Sequence, residues 1–192
     1  MTIGGHLPAR TLTSVIPMMG ETADAGGFRD AMGSFPTPVT VVTALDEDGL
    51  PRGLTCSAVA SLSMDPPSLL VCVNRRNGSL RAIRHSGGFV VNLLREGRYR
   101  LSDRFASASP SKFAGTPWRP STPSGLPLLH ADVLAHVDCA LQAELVAGSH
   151  VILIGLVRSA GSTARDGGPL VYYNRSYGRW ALPVSEDSRE DG

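Results

Sequence analysis

The sequence predicts a mainly β fold: an antiparallel barrel with a few short helical insertions. Three observations lead there. Runs rich in β-branched residues recur along the chain, as in Val39–Leu45 (VTVVTAL), Gly88–Leu94 (GFVVNLL) and His150–Arg158 (HVILIGLVR). Turn signals such as Asp46–Gly49 (DEDG), Asp65–Pro67 and Asn77–Gly78 separate such runs. Strands and helices do not alternate regularly, as a doubly wound parallel sheet requires, and neither a GxGxxG after a strand nor a GxxxxGK[ST] occurs.

Taken in order, Met1–Gly27 is rich in Gly, Thr and Ala and has no clear period. It reads as a flexible arm, free or packed on a partner subunit. Phe28–Phe35 is a short amphipathic helix ended by Pro36. Val39–Leu45 is a strand, DEDG its hairpin turn, and Arg52–Ser61 the strand that follows. Asp65–Pro67 breaks that strand, and Ser68–Asn74 is a buried one. Asn77–Gly78 turns into a helix over Ser79–His85, then comes the strand Gly88–Leu94. Glu96–Ala106 reads as a helix, with Leu101 and Phe105 one turn apart. Ser107–Pro127 is a long loop dense in Ser, Pro and Gly, the kind that serves function or moves. Ala131–Ala147 is one long strand or two short ones, His150–Arg158 a strand, and Ser159–Gly168 a loop. Pro169–Tyr173 and Tyr177–Leu182 close the domain, which spans residues 28–183; residues 184–192 form an acidic, disordered tail.

A chain of 192 residues is long enough for one domain with a sizeable core. A net charge of +1 gives no global field that would point to nucleic acid or a membrane surface. Seventeen of the eighteen basic residues are Arg, and Lys112 is the only Lys. Cys56, Cys72 and Cys139 are odd in number, widely spaced and set in apolar runs, which reads as buried free thiols in a reducing compartment. No Cys/His cluster has zinc spacing and HExxH is absent, so no metal is expected. The N-terminus lacks the order of a signal peptide and no apolar run is long enough to span a bilayer; the expectation is a cytoplasmic protein.

The most telling segment is Leu54–Pro67 (LTCSAVASLSMDPP), taken with Gly148–Ser149–His150. Read with period two, Thr55, Ser57, Ser61 and Ser63 share one face with Val59, and Leu54, Cys56, Ala58, Ala60 and Leu62 line the other. A row of hydroxyls suits a flat ligand edged with carbonyls and ring nitrogens, such as a flavin; from the pattern alone it suits the wet face of an antiparallel strand better.

The motifs FRDAMGSFPTPVTVVTA, GLTCSAVASLSMDPPSLLVCVN, SGGFVVNLL, GSHVILIGLV and PLVYYNRSYGRW, in that order, resemble the flavin reductase family from Phe28 to about Leu182. That resemblance implies a split β-barrel with a flavin reductase-like fold, in a homodimer whose flavin sites lie at the subunit interface. It implies reduction of FMN or FAD by NADH or NADPH, with the reduced flavin supplied to a partner monooxygenase. It assigns the flavin ring and ribityl chain to Thr55, Ser57 and the backbone of Cys56–Ala58. The segment Asn74–Ser79 would hold the flavin phosphate, chiefly through Asn74 and Ser79, with Arg75 and Arg76 adding charge; Ser79 also fits an ordinary helix cap. Phe89 and Asn92 follow on the next strand, Phe89 as core or flavin contact and Asn92 with backbone or flavin as its partner. His150 would lie over the flavin and orient the nicotinamide. Arg175 and Tyr177 would stand near the flavin or the nicotinamide cleft, and Lys112 and Phe113 in the long loop would form a lid.

Two positions depart from the family pattern. Pro38 stands where the family carries Gly, and Ser149 where it carries an acidic residue beside the His. The second departure leaves an alternative: a flavin-binding protein with weak or lost NAD(P)H oxidation, serving another redox or structural role. A barrel scaffold that binds no flavin is the third reading.

Overall fold

Asp24 starts the first helix: its carboxylate accepts from Gly27 N at 2.8 Å, so the helix opens at Ala25, earlier than the apolar pattern suggests. The computed structural model describes residues 12–162 and 167–180. The expected acidic tail, residues 1–11 of the arm and the end of the last strand lie outside the described residues. In chain order the elements are β1 (Leu12–Ile16), α1 (Ala25–Gly33), β2 (Thr37–Pro38), β3 (Thr40–Leu45), β4 (Pro51–Cys56), β5 (Val59–Met64), β6 (Pro67–Asn74), α2 (Ser79–Ser86), β7 (Gly88–Leu94), α3 (Tyr99–Ala106), β8 (Arg119–Pro120), β9 (Pro127–Leu128), β10 (Val133–Ala147), β11 (His150–Ser162), β12 (Leu170–Tyr173) and β13 (Ser176–Arg179).

The main sheet runs β4-β3-β7-β10-β11-β6-β5, and β1 lies parallel to the end of β10. The order curls the sheet so that its edges, β4 and β5, are joined by sequence but not by a ladder. Cys72 N on β6 donates to Ala58 O at 2.9 Å, which ties the corner between β4 and β5 to β6. The result is a split barrel. Both faces of β3 and β7 are covered. Val42, Leu54, Val71, Phe89, Val91, Val151 and Leu153 pack with α2 on one side; Val41, Val90, Leu94, Phe105 and Leu129 pack on the other. Gly155 makes room for the Phe89 ring, since a Cβ there would stand 2.7 Å from Phe89 Cζ.

Several expectations change. The hydroxyl strand is two strands, broken at Ser57–Ala58, so its hydroxyls do not form one row. The supposed arm carries β1, whose backbone finds free partners where β7 no longer flanks β10. The Ser107–Pro127 loop is anchored to the core. Leu126 is buried, and the buried Asp138 carboxylate accepts from the hydroxyls of Ser121 and Ser124 at 2.6 and 2.5 Å. Ala131–Ala147 resolves as one bulged strand starting at Val133, and β11 continues past Arg158 to Ser162.

Candidate functional site

The break between β4 and β5 builds the centre of the site. Ser57 and Ala58 are exposed, and their N–H groups donate to no described residue. Two adjacent N–H groups exposed in a corner can donate to a ligand's acceptors in place of water. Ala58 is tied to Cys72, and Asn74 lies two residues further along β6, about 7 Å on at strand rise. Asn74 in turn pairs with His150 at the head of β11. Corner, Asn74 and His150 therefore stand in a row across neighbouring strands. Ser149 Oγ lies 2.9 Å from His150 Nδ1 and fixes the ring, and Arg75 N donates to Ser149 O at 3.0 Å. Beneath the corner, burial pushes the Cys56 thiol up to about 11, so it is a packing group and not a nucleophile.

A cleft of about 710 Å³ opens beside Asn74–Ser79. Its walls are the β3–β4 turn with Arg52 and Gly53, the start of α2, and the loop from Ala106 to Phe113. Asn77 Oδ1 accepts from Ser79 N at 2.9 Å, a turn that leads into α2, whose N-cap is Gly78 and whose first residue is the buried Ser79. Among the cations of the cleft, Arg52 pairs with Asp46 at 2.7 Å and Arg81 with Glu47 at 2.5 Å. Burial pushes the Asp46 carboxyl up, but donors at Leu50 N, Arg52 and Asp48 N outweigh that and hold it below the usual range. Arg76 and Lys112 make no ion pair among the described residues. Lys112 Nζ donates to Gly53 O at 3.2 Å and Phe105 O at 2.9 Å, and burial lowers its pKa.

The comparisons with known proteins give the family. The family model for the flavin reductase like domain matches residues 32–181. The flavin reductase (NADH) of Kitasatospora aureofaciens is 44% identical over 95% of each chain. The reductase subunit HsaB of a flavin-dependent monooxygenase from Rhodococcus jostii is 41% identical over 82% of this chain and 78% of that one. Among solved structures, the NADH:FAD oxidoreductase SgcE6 of Streptomyces globisporus, in complex with NAD and FAD fragments, superposes with a TM-score of 0.76. It is 30% identical, over 85% of this chain and 98% of that one. The chain belongs to the flavin reductase family.

The residues fit a flavin. A flavin ring edge carries acceptors for the free N–H pair at Ser57–Ala58, and a flavin phosphate needs cations not already spent on carboxylates, as at Arg76. Other site expectations for this flavin reductase are corrected. Phe89 is fully buried against Gly155 and Cys139, so it is core and touches no ligand. Asn92 is fully buried too. Its Nδ2 donates to Val41 O and Thr43 Oγ1, each at 3.0 Å, and its Oδ1 accepts from Leu129 N at 2.9 Å; its partner is protein, not flavin. Thr55 gives its hydroxyl proton to Ser102 O on α3 at 2.5 Å, which leaves it only as an acceptor.

The closing hairpin stands on the same helix. Tyr177 OH contacts Ser102 Oγ at 3.0 Å and Asp103 Oδ1 at 2.8 Å, and burial leads in pushing its pKa up. Arg175 is exposed and pairs with Asp30 on α1 at 2.7 Å, with its backbone at φ +61°. Pro38 lies in β2 beside β12, where its missing N–H costs little because the strand is only two residues long. Phe113 stacks edge-on to Phe105 at 5.0 Å, a loop anchor and not a free lid. The Asp46–Arg52 turn was missed as cleft wall. Its turn sequence signalled a hairpin, and nothing in one sequence says which hairpin faces a ligand.

Proposed function

We propose that the flavin ring rests against the Thr55–Ala58 corner, with its phosphate at Asn74–Ser79, and that His150 orients the nicotinamide. The chain is an NAD(P)H:flavin oxidoreductase that supplies reduced flavin to a partner monooxygenase, as the names of its relatives support. The single observation that carries the residue assignment is the free N–H pair at Ser57–Ala58 in line with Asn74 and His150. The bound flavin supplies the acceptor for a hydride, two electrons and one proton moving together from NADH or NADPH. Such a transfer needs no strong acid or base from the protein; it needs alignment and exclusion of water. Ser149 holds His150 by Nδ1 and leaves Nε2 without a partner among the described residues, which suits orientation of a carboxamide. Ser149 thus replaces an acidic neighbour as the group that fixes the imidazole.

FMN and FAD both match the corner, and NADH is the donor in the more similar named relative. The working unit is a homodimer. Leu62 and Met64 on the edge strand β5, and Val15, Met18 and Met19 along β1 and its end, expose large apolar surface that a second subunit would cover. The free thiols of Cys56, Cys72 and Cys139 support a cytoplasmic setting. No helix among the described residues is long and apolar enough to cross a membrane. The test is NADH oxidation with added FMN or FAD, for the native protein and for His150→Ala. Rapid oxidation, slowed in the variant with flavin affinity kept, is expected. Flavin bound without oxidation would refute the assigned donor and favour the reading in which Ser149 marks lost nicotinamide use.

A further inference from the structure

We propose that β1 is a positioning strand for the nicotinamide site: it splints the end of β10 and so holds the turn that presents His150. This rests on the reading of His150 given above. It adds an element upstream of residues 32–181, the part of the chain that the family model covers.

Register is the leading observation. Ile16 at the end of β1 pairs with Ala147, Ala147 pairs with His150, and His150 pairs with Asn74. These residues form one row across neighbouring strands, with Ile16 about 10 Å from His150 at ordinary strand spacing. β1 therefore stops at the row that carries the site. Pro17 follows at once and has no N–H to continue the ladder. The chain then passes over the turn: a Cβ added to Gly148 would lie 3.9 Å from Met18 Cγ.

β10 needs support where β1 supplies it. β7 flanks β10 from Val133 to Ala140, and Leu141 N donates to Gly87 O; beyond that point β7 offers β10 no partner. The ladder between β10 and β11 also shifts register between Leu141 and Ala143. A bulge bends a strand and interrupts its ladder. β1 begins opposite Ala143, directly after that shift, and runs to Ala147. It thus spans the stretch from the bulge to the turn. The turn is Gly148–Ser149, with Gly148 at φ +55°. On its far side Arg75 N donates to Ser149 O at 3.0 Å. Ser149, whose hydroxyl meets His150 Nδ1 at 2.9 Å, is therefore held from the end of β6 on one side and, through Ala147, from β1 on the other.

Core packing does not explain β1. Thr13, Ser14, Val15 and Ile16 are exposed, and none of them belongs to either hydrophobic cluster. Val15 keeps 72% of its surface. What β1 gives the domain is its backbone ladder, and that ladder ends beside the histidine.

The experiment measures kcat/KM for NADH at saturating FMN, and flavin Kd by fluorescence quenching. One variant begins the chain at Glu21, without β1. The other is Ser14→Pro/Val15→Pro. N–H groups of successive strand residues point to opposite sides, so one of the two prolines removes a donor to β10. Each is made in the native background and with His150→Ala. Both should lower kcat/KM for NADH at least fivefold, with flavin Kd within twofold and the native oligomeric state kept in sedimentation. Added to His150→Ala, neither should lower it further by more than twofold, because the effect passes through that side chain. Native kcat/KM in either folded β1 variant overturns the proposal. So does an equal loss in the His150→Ala background, which routes the effect elsewhere. Flavin affinity falling in parallel, or a changed oligomeric state, assigns β1 to general support or subunit assembly and overturns it too. His150→Ala with native kcat/KM refutes the reading of His150 itself, a distinct outcome. Should neither β1 variant fold, amide exchange of the native protein decides. Ser14–Ile16 and Ala147–His150 should then open at a common rate; a turn that stays protected while β1 opens overturns the proposal.

Discussion

Replacing Asn92 by Ala separates a structural role from a ligand role at one position. Asn92 sits mid-strand on β7 with no exposed surface, and its amide bridges β3, through Val41 O and Thr43 Oγ1, to the chain at Leu129 N. The variant loses four hydrogen bonds, three of them shared between the two Nδ2 protons, and leaves the N–H of the fully buried Leu129 without an acceptor. An orphaned buried donor costs about 1–3 kcal/mol, and each of the two Nδ2 protons about 1 kcal/mol, so the expected loss is about 3–5 kcal/mol. For a domain of this size each kcal/mol lowers Tm by roughly 2–4 °C, which places the fall on the order of 10 °C. Thermal denaturation followed by far-UV circular dichroism, with flavin titration well below the transition, tests both halves. The folded variant should bind flavin with native Kd. A native Tm together with weakened flavin binding would refute the reasoning and return Asn92 to the flavin site.

Other expectations follow from single contacts. His150→Ala should lower kcat/KM for NADH about tenfold or more, with flavin Kd within a few-fold; equal loss of both would make His150 a flavin anchor. Arg175→Gly removes a left-handed backbone cost of about 1–2 kcal/mol and an exposed ion pair worth about 0–1 kcal/mol, so Tm should hold or rise by a few degrees in a thermal melt. Burial pushes Cys56 to about 11 and Cys139 to about 12 from an ordinary 9.0. In the unfolded chain these thiols ionise near 9 while the folded ones stay protonated. The stability they contribute is therefore full below pH 9 and falls as pH rises from 9 towards 11. Tm measured across that range should drop more steeply for the native protein than for Cys56→Ala/Cys139→Ala; parallel curves would refute it. Gly53→Ala puts a Cβ 2.8 Å from the Phe105 ring and should lower Tm while loosening the α3 contact, seen as faster amide exchange in α3.

Local pattern revealed most of the barrel. β3, β6, β7 and the first half of β11 are dense in β-branched residues and bounded by turn residues, and they lie within a residue or two of where the pattern puts them. The break at Ser57–Ala58 was not legible, because neither residue forces a turn. The chain bends there because β4 pairs with β3 and β5 with β6, at opposite edges of the curled sheet. β1 was hidden for a similar reason: its partner is the unflanked end of β10, a long-range fact. At the site, the motifs put Asn74 at the end of one strand and His150 at the head of another; that the two strands are neighbours and the residues pair is a long-range fact. For Phe89 and Asn92 the sequence left core and flavin both open, because a motif marks a position as constrained without saying whether a ligand or the core constrains it; both are fully buried. Asn92 in an apolar run did signal a partner, and the partner proved to be Leu129 N.

A chain with a single lysine answers amine chemistry at one side chain, apart from its α-amino group. Desolvation lowers the pKa of that amine, so at neutral pH a larger share is the free base that acylating and alkylating reagents attack. Lys112 also touches the wall of the cleft. Ester-activated dyes, crosslinkers and resins should therefore report on the cleft wall, with any ligand bound there slowing the label. The same property makes random amine coupling a poor way to immobilise this protein, since the attachment point and the cleft wall coincide.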